Sequence, residues 1–452
     1  MPSKTFTAVT VNNAHQSQSI RLETESSTAG KTHAVIYDDN QQKQIGTLTV
    51  PDDTPYGIEL FGGKGGFMAM ITAPTGMQYF ALPGATVGVS GIELVLTGSP
   101  ITSNAAKQKT QRKAPTVQQH TLQATILGAG LATRFERVSG ESTQFSKPAV
   151  PLVGTQSVIQ LMADKLADSG FETLIVNTYF KPDSLKASLQ QSKINTIQYI
   201  DETAPSGTAG GLRKMLCDPA YAGILDRSKP LLVAQGDSVS DVDFGALMNH
   251  HKAQNAIVTL GCQLVEDKDV DKFGIIVTDR SGEDGQSGKI TGFQEKPALS
   301  EAKSNLGNTG FYIFSPAAYP IIEATYNRLL TNAQQAAKDA GEPVPEAVLM
   351  DFATDVFPAV LAAVQENPSL GAFWAQSVSG YWSDIGNPTQ YIETVHDIYA
   401  EKVNLTLPDN QAAFYENGIV YWQGAKQQVE AAGAQLSGNI IVAIPFSPDA
   451  SC

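Results

Sequence analysis

The chain has 452 residues, 42% of them hydrophobic and 17% charged, with a formal net charge of −14. That length allows two or three domains of ~150 residues each, and the composition is that of a globular chain, not a disordered one. The acidic balance argues against nucleic acid as the main partner, since a phosphate backbone needs a basic face, but a small phosphorylated ligand needs only a local cluster of Lys and Arg. The three cysteines, Cys217, Cys262 and Cys452, are far apart, with no Cys-x-x-Cys pair. Neither a disulfide framework nor a structural zinc site is expected, and a reducing, cytoplasmic compartment fits best. The start, Met1 to Thr7, lacks the apolar stretch of a signal peptide, and no run of roughly 18 apolar residues exists, so no membrane partner is expected.

Residues 1–98 read as all-β. Short alternating runs at 5–11, 19–23, 33–37, 46–50, 67–71, 79–82 and 92–96 are separated by turn residues such as Asp38-Asp39-Asn40 and Pro74-Thr75-Gly76. That spacing predicts a small sandwich or barrel. The stretch Gly62-Gly-Lys-Gly-Gly66 resembles a phosphate loop in composition only; without the spacing and following helix of a P-loop it reads as a turn. No chemistry follows from this region. Residues 99–119 carry Lys107, Lys109, Arg112 and Lys113 among Ser, Asn, Gln and Pro, and read as a flexible basic linker.

From 120 to 403 strand and helix patterns alternate. A buried strand at Leu122–Leu127 runs into the small residues Gly128, Ala129, Gly130 and Ala132, then Arg134 and, further on, Lys147. Small residues let backbone N–H groups point at an anion, so the stretch reads equally as a phosphate loop and as an ordinary strand-to-helix turn. Ser157 is placed to cap a helix that Gly170 ends. A strand follows at 173–176, then a helix from Asp183, a strand at 196–200 and a Gly-rich helix start at 206–211. An apolar strand at 230–234 ends in Gly236-Asp237, and helix 243–253 and strand 256–260 come next. This alternation predicts an α/β, Rossmann-like, mixed but mostly parallel sheet with ligands at the carboxyl ends of its strands. A hairpin (273–277 and 290–294), a strand at 310–314, helical residues 317–364 with a polar interruption around Gly341-Glu-Pro343, a strand at 372–376 and a helix near Pro388 complete the region. Residues 404–452 read as a short β-rich tail, one or two coils of a truncated β-solenoid built from 419–422, 429–433 and 440–444, packing on the catalytic domain or on another subunit.

Asp237 follows a central strand and is placed either to hold a divalent metal or to cap the next turn. Asp384, in Gly-Tyr-Trp-Ser-Asp-Ile-Gly, is either a second metal carboxylate or a structural loop residue. Glu295-Lys296-Pro297 suits a sugar phosphate, with the carboxylate accepting from hydroxyls and the ammonium pairing with phosphate; in isolation it reads first as a surface ion pair before a proline. His250-His251 are adjacent on a helix and point different ways, so both read as helix surface or flank. Trp374, Trp382 and Trp422 read as packing residues.

In chain order these pieces are Leu-Gly-Ala-Gly-Leu-Ala-Thr-Arg134, Ser-Lys147-Pro, Ser-Gly207-Thr-Ala-Gly-Gly, Gln-Gly-Asp237, Phe-Gln-Glu295-Lys-Pro, Asn308-Thr-Gly-Phe-Tyr and Gly-Tyr-Trp-Ser-Asp384-Ile-Gly. The set resembles the sugar nucleotidyltransferases (nucleotide-sugar pyrophosphorylases) over roughly 122–400. The resemblance implies a Mg2+-dependent reaction of an NTP with a sugar 1-phosphate, giving an NDP-sugar and pyrophosphate. It further implies that Gly128, Ala129 and Gly130 hold the nucleotide phosphates, Arg134 the leaving pyrophosphate, and that Lys147 neutralises the α-phosphate. Gly207 and Thr208 would lie against base and ribose, Asp237 and Asp384 would hold Mg2+, Glu295 and Lys296 would bind the sugar phosphate, and Asn308 would lie near the sugar. A homo-oligomer without nucleic-acid or membrane partners is expected. Four departures stand out: Ala129 and Ala132 replace the usual glycines, Ser206 replaces a larger apolar residue, an all-β region precedes the catalytic part, and the solenoid that many members carry is cut to a stub. The alternatives are a catalytically idle regulatory or scaffold subunit that binds nucleotide sugars, and a nucleotidyltransferase for a non-sugar phosphate.

Overall fold

The strand Leu122–Leu127 is buried from Leu122 to Ile126 without alternation, as expected of a strand covered on both faces. It lies inside a nine-stranded sheet in the computed structural model, which describes residues 9–13, 20–28, 30–38, 43–63, 66–97, 122–130, 146–153, 156–386, 388–405, 413–422 and 425–443. Across the sheet the order is Thr196–Asp201, Phe171–Thr178, Leu122–Leu127, Leu231–Gln235, Leu306–Phe314, Ala256–Leu264, Ala372–Ser377, Gly288–Glu295 and Gly274–Thr278. Leu306–Phe314 and Gly288–Glu295 run against their neighbours, so seven of the nine strands point one way. The architecture is α/β with a mixed sheet.

The chain moves outward from Leu122–Leu127 through Phe171–Thr178 to Thr196–Asp201, then returns to place Leu231–Gln235 on the other side. The reversal opens a crevice at the carboxyl ends of Leu122–Leu127 and Leu231–Gln235, the position where open α/β sheets take ligands. Helices cover the sheet. Ser157 caps Val158–Asp168 by accepting from the Gln160 N–H at 3.3 Å, and Asp243 caps Phe244–Ala253 by accepting from the Ala246 N–H at 2.8 Å. The helical segment 317–364 breaks at the expected Gly341, into the helices Tyr319–Ala340 and Phe357–Glu366, joined by an irregular stretch and a short π-turn. His251 is not at the surface: it is 2% exposed, with its ring nitrogens on the hydroxyls of Thr259 and Ser315. No helix among the described residues is long and apolar enough to cross a membrane.

Residues 404–452 do not stand as a separate solenoid-like tail. Ile440–Ala443 pairs antiparallel with Gln78–Ala81, Ile419–Trp422 joins it in parallel, and Ala413–Glu416 closes that edge. The result is a seven-stranded sheet shared with Val9–Asn13, Gly57–Gly63 and Gly66–Thr72. Gln435–Ser437 adds to the edge of Thr86–Val89 in a second sheet with Ile20–Thr28, Lys31–Asp38, Lys43–Pro51 and Ile92–Leu96. The stretch read as a strand at 429–433 falls largely in the helix Ala425–Ala431, because Ala425 and Val429, four apart, are the residues it buries. Strands this short cannot satisfy their own edges and borrow those of the earlier strands. One apolar core holds Leu48, Ile58, Leu60, Tyr79 and Leu94 together with Ile419, Ile440 and Val442.

The α/β unit is thus inserted in a sandwich made by both ends of the chain. A further core cluster joins the two: Phe61, Met68, Phe80 and Leu82 pack with Leu152, Ile392, Val395, Ile398, Val420 and Ile441. Strands Gly57–Gly63 and Thr86–Val89 were not foreseen in the sequence. The basic linker at 99–119 lies outside the described residues, as do residues 64–65 of the glycine turn.

Candidate active site

The crevice is walled on one side by the loop after Leu127. The N–H of Gly128 donates to Asn177 Oδ1 at 3.0 Å. A Cβ at Gly128 would stand 2.7 Å from Leu185 Cδ1, whereas one at Gly130 would meet no described residue within 4 Å. Among the described residues, therefore, the first glycine packs and the second has no close neighbour. Ala129 is half-buried. Ala132 and Arg134, the next elements of the predicted loop, lie outside the described residues.

Lys147 opens a short 3-10 turn, Lys147–Ala149, that follows this loop. Its Nζ lies 2.5 Å from Asp237 Oδ2 and 3.9 Å from Asp384 Oδ1. Asp237 sits two residues beyond Leu231–Gln235, and the intervening Gly236 donates its N–H to the Leu127 carbonyl at 3.0 Å. Asp384 arrives from far along the chain on the short strand Trp382–Asp384, which pairs with Ser238–Ser240 so that Asp384 lies opposite Ser238. The Ile385 N–H then donates to the Asp237 carbonyl at 2.9 Å. Two carboxylates and a cation, 147 to 384 in the numbering, meet at the crevice. The Lys147 side chain is 14% exposed, against 31% for Asp237 and 47% for Asp384, so the carboxylates form the open side. Among the described residues no three His, Cys, Asp or Glu side chains group as a metal site. A two-carboxylate, all-oxygen donor set nevertheless fits Mg2+, which takes one or two carboxylates and completes its shell with phosphate oxygens and water.

A second group lies at the same end of the sheet. Gly274 pairs with Glu295 at the end of the hairpin, and a Cβ there would lie 3.3 Å from Glu295 Oε2 and 3.9 Å from Asn308 Cβ. The predicted Glu295 and Asn308 are therefore neighbours. Lys296 is ion-paired with Glu295 at 3.0 Å. Both are exposed enough that this pair alone adds little stability. Asn308 Nδ2 donates to the Tyr312 hydroxyl at 3.0 Å, and Asn308 Oδ1 accepts from the Gly310 N–H at 3.0 Å. Burial pushes the Tyr312 hydroxyl up to about 12, so it remains protonated near neutral pH. Gln235, two residues before Asp237, lies against Gly310 and links this group to the carboxylate pair.

The loop with Gly207 and Thr208 is bound to a partner that sequence reasoning missed. Thr208 donates both its N–H and its hydroxyl to Asp351 Oδ1, at 2.7 and 2.8 Å, and accepts from the Phe352 N–H at 3.0 Å. Met350 donates its N–H to the Ser206 carbonyl and accepts from the Ala209 N–H. Gly207 has a φ of +91°, and a Cβ there would run into the Met350 backbone. Gly207→Ala is expected to cost at least the ~1–2 kcal/mol of a left-handed non-glycine residue. The check is thermal unfolding, where a midpoint no lower than wild type would contradict the packing described.

Asn177, Glu202 and Ser206, all buried, connect this loop to the loop after Leu127. Asn177 Nδ2 donates to Glu202 Oε1 at 2.7 Å, Ser206 donates to Glu202 Oε2, and Asn177 Oδ1 holds Gly128. The hydroxyl of Ser206 thus accounts for one departure noted in the sequence. The available signal was positional: Asn177 and Glu202 lie at or just past the ends of two adjacent parallel strands.

Residues 123–401, well over half of the chain, match the family model described as "Nucleotidyl transferase". The chain is 25% identical over 299 residues to a UTP–glucose-1-phosphate uridylyltransferase of Synechocystis sp., covering 64% of this chain and 66%, just under two thirds, of that protein. It is 26% identical over 337 residues to a glucose-1-phosphate adenylyltransferase of Fervidobacterium nodosum, covering 70% of this chain and 72% of the relative. A solved UDP-glucose pyrophosphorylase from Acinetobacter baumannii superposes with a TM-score of 0.46 at 19% identity, covering 63% of this chain and 96% of that one.

Proposed function

Because the chain belongs to the nucleotidyl transferase family, we propose that it transfers a nucleotidyl group from an NTP to a sugar 1-phosphate, with Mg2+, giving an NDP-sugar and pyrophosphate. The observation that carries this reading is the meeting of Lys147, Asp237 and Asp384 at the reversal point of the sheet. The names of the two relatives, both glucose-1-phosphate nucleotidyltransferases, support a sugar 1-phosphate as acceptor.

Attack of one phosphate on another needs alignment and cancellation of like charge more than covalent help from the protein. In this reading the acceptor is already ionised near neutral pH, so no side chain serves as nucleophile or base. Gly128, Ala129 and Gly130 receive the triphosphate, with Arg134 at the leaving pyrophosphate. Lys147 offsets charge at the α-phosphate. Gly207 and Thr208 flank base and ribose, and Glu295, Lys296 and Asn308 orient the sugar phosphate. Asp237 and Asp384 would hold Mg2+, which when bound supplies positive charge to the phosphate oxygens. A homo-oligomer in the cytoplasm belongs to the same reading; the unpaired thiols of Cys217 and Cys262 suit a reducing compartment.

The test is pyrophosphate release from a panel of NTPs against glucose, mannose and N-acetylglucosamine 1-phosphates, with Mg2+ and then with EDTA. Release in at least one combination, abolished by EDTA, is expected. No release in any combination from folded protein would sink the enzyme reading and restore the idle-scaffold alternative.

A further inference from the structure

Asp384 has one of the more exposed side chains of the site, at 47%, so burial does not fix its aim. Its backbone is held on one side by the ladder to Ser238. On the other side lies the helix Pro388–Tyr399, and three residues around Asp384 are bonded to it. The Gly386 N–H donates to Gln390 Oε1 at 3.1 Å. The Thr394 hydroxyl donates to the Gln390 carbonyl at 2.7 Å, which makes Ser383 the donor in its 2.8 Å bond to Thr394 Oγ1. The Tyr381 hydroxyl donates to Asp397 Oδ2 at 3.2 Å. Gln390, Thr394 and Asp397 are four and then three residues apart, the spacing of one helix face. Thr394 is fully buried and Asp397 is 4% exposed.

Another face of the same helix belongs to the sandwich. His396 Nε2 donates to the Gly418 carbonyl at 2.9 Å, and Ile392, Val395 and Ile398 enter the core cluster shared with both ends of the chain. The helix is therefore clamped between the Asp384 loop and a β unit for which the sequence offers no chemistry.

We propose that the row Gln390, Thr394 and Asp397 positions Asp384, and that the sandwich is the rigid backing that holds the row in place. The inference rests on the reading of Asp384 as a metal ligand. Partners behind a ligand fix its orientation, and losing one typically weakens metal binding about 10- to 100-fold. The row residues touch neither substrate nor metal; they are positioning residues.

The test uses Mn2+, an oxygen-preferring stand-in for Mg2+, titrated into the full-length chain and followed by loss of the free-ion EPR signal. Thr394→Val removes the hydroxyl at nearly constant volume and is expected to weaken Mn2+ binding about tenfold. Thr394→Ser keeps the hydroxyl and is expected to bind as wild type does, with both variants matching wild type in circular dichroism. Unchanged binding by Thr394→Val would overturn the positioning role while leaving the metal reading intact. No Mn2+ binding by the wild-type chain would overturn the metal reading and the inference with it. Should Thr394→Val not fold, Gln390→Leu tests the same row from its partly exposed end, with the same two outcomes.

Discussion

Asp237→Ala is expected to lower pyrophosphate release by roughly 10³-fold, the scale of losing a preorganised electrostatic contact at a reacting phosphate. Asp237 is the carboxylate nearest Lys147, at 2.5 Å, and its backbone carbonyl anchors the Asp384 loop through Ile385. The alanine variant keeps that carbonyl, so Asp384 stays in place. What is lost is one of two carboxylates and the closer partner of a cation whose side chain is only 14% exposed. With Asp384 Oδ1 at 3.9 Å, Lys147 retains a counter-charge, and the fold is expected to survive. Asp237→Asn keeps the shape and loses the charge, and is expected to fall nearly as far. Steady-state rates with excess Mg2+, together with circular dichroism, check both. Full activity in either variant would refute the assignment of Asp237 to the metal.

Deletion of residues 1–118 is expected to remove the soluble native state altogether, not merely an accessory domain. Ile440–Ala443 would lose its partner Gln78–Ala81, and Gln435–Ser437 would lose Thr86–Val89. Ile419, Ile440 and Val442 would lose the core they share with Leu48, Ile58 and Tyr79. The helix Pro388–Tyr399 would be uncovered as Phe61, Met68, Phe80 and Leu82 leave Ile392, Val395 and Ile398. Each large apolar side chain returned to water costs about 1.5–3 kcal/mol. A handful of them matches the whole stability of a domain, about 5–15 kcal/mol, and the bared strand edges would pair between molecules. Size-exclusion with light scattering on residues 119–452 is the measurement. A monodisperse, cooperatively unfolding product would contradict the shared sandwich.

The catalytic half was readable because its signals are local. An apolar run ending on a glycine marks Leu122–Leu127 and Leu231–Gln235, Ser157 and Asp243 announce their helices as caps, and the seven short motifs stand in order along the chain. Where local pattern was weak, the reading slipped. Gly57–Gly63 holds three glycines and shows little alternation. The helix Ala425–Ala431 is short, and the apolar residues Val429, Ala431 and Ala432 suit a strand as well as a helix end. His251 was placed at the surface because adjacency on a helix says which way two residues diverge, not which of them faces the core.

By itself the sequence determined the α/β alternation, the small-residue loop at Gly128 and the residue types that meet at the crevice, since propensity, capping and side-chain chemistry act over a few residues. Only the tertiary structure decided that Asp384 lies across Ser238 beside Asp237 and Lys147, that Asp351 holds Thr208, and that Asn177 and Glu202 join two loops. It also decided that the last strands complete the first domain. These contacts span tens to hundreds of residues, and a strand edge or buried carboxylate chooses its partner by which surfaces remain unsatisfied when the chain packs, a property no short window of sequence contains.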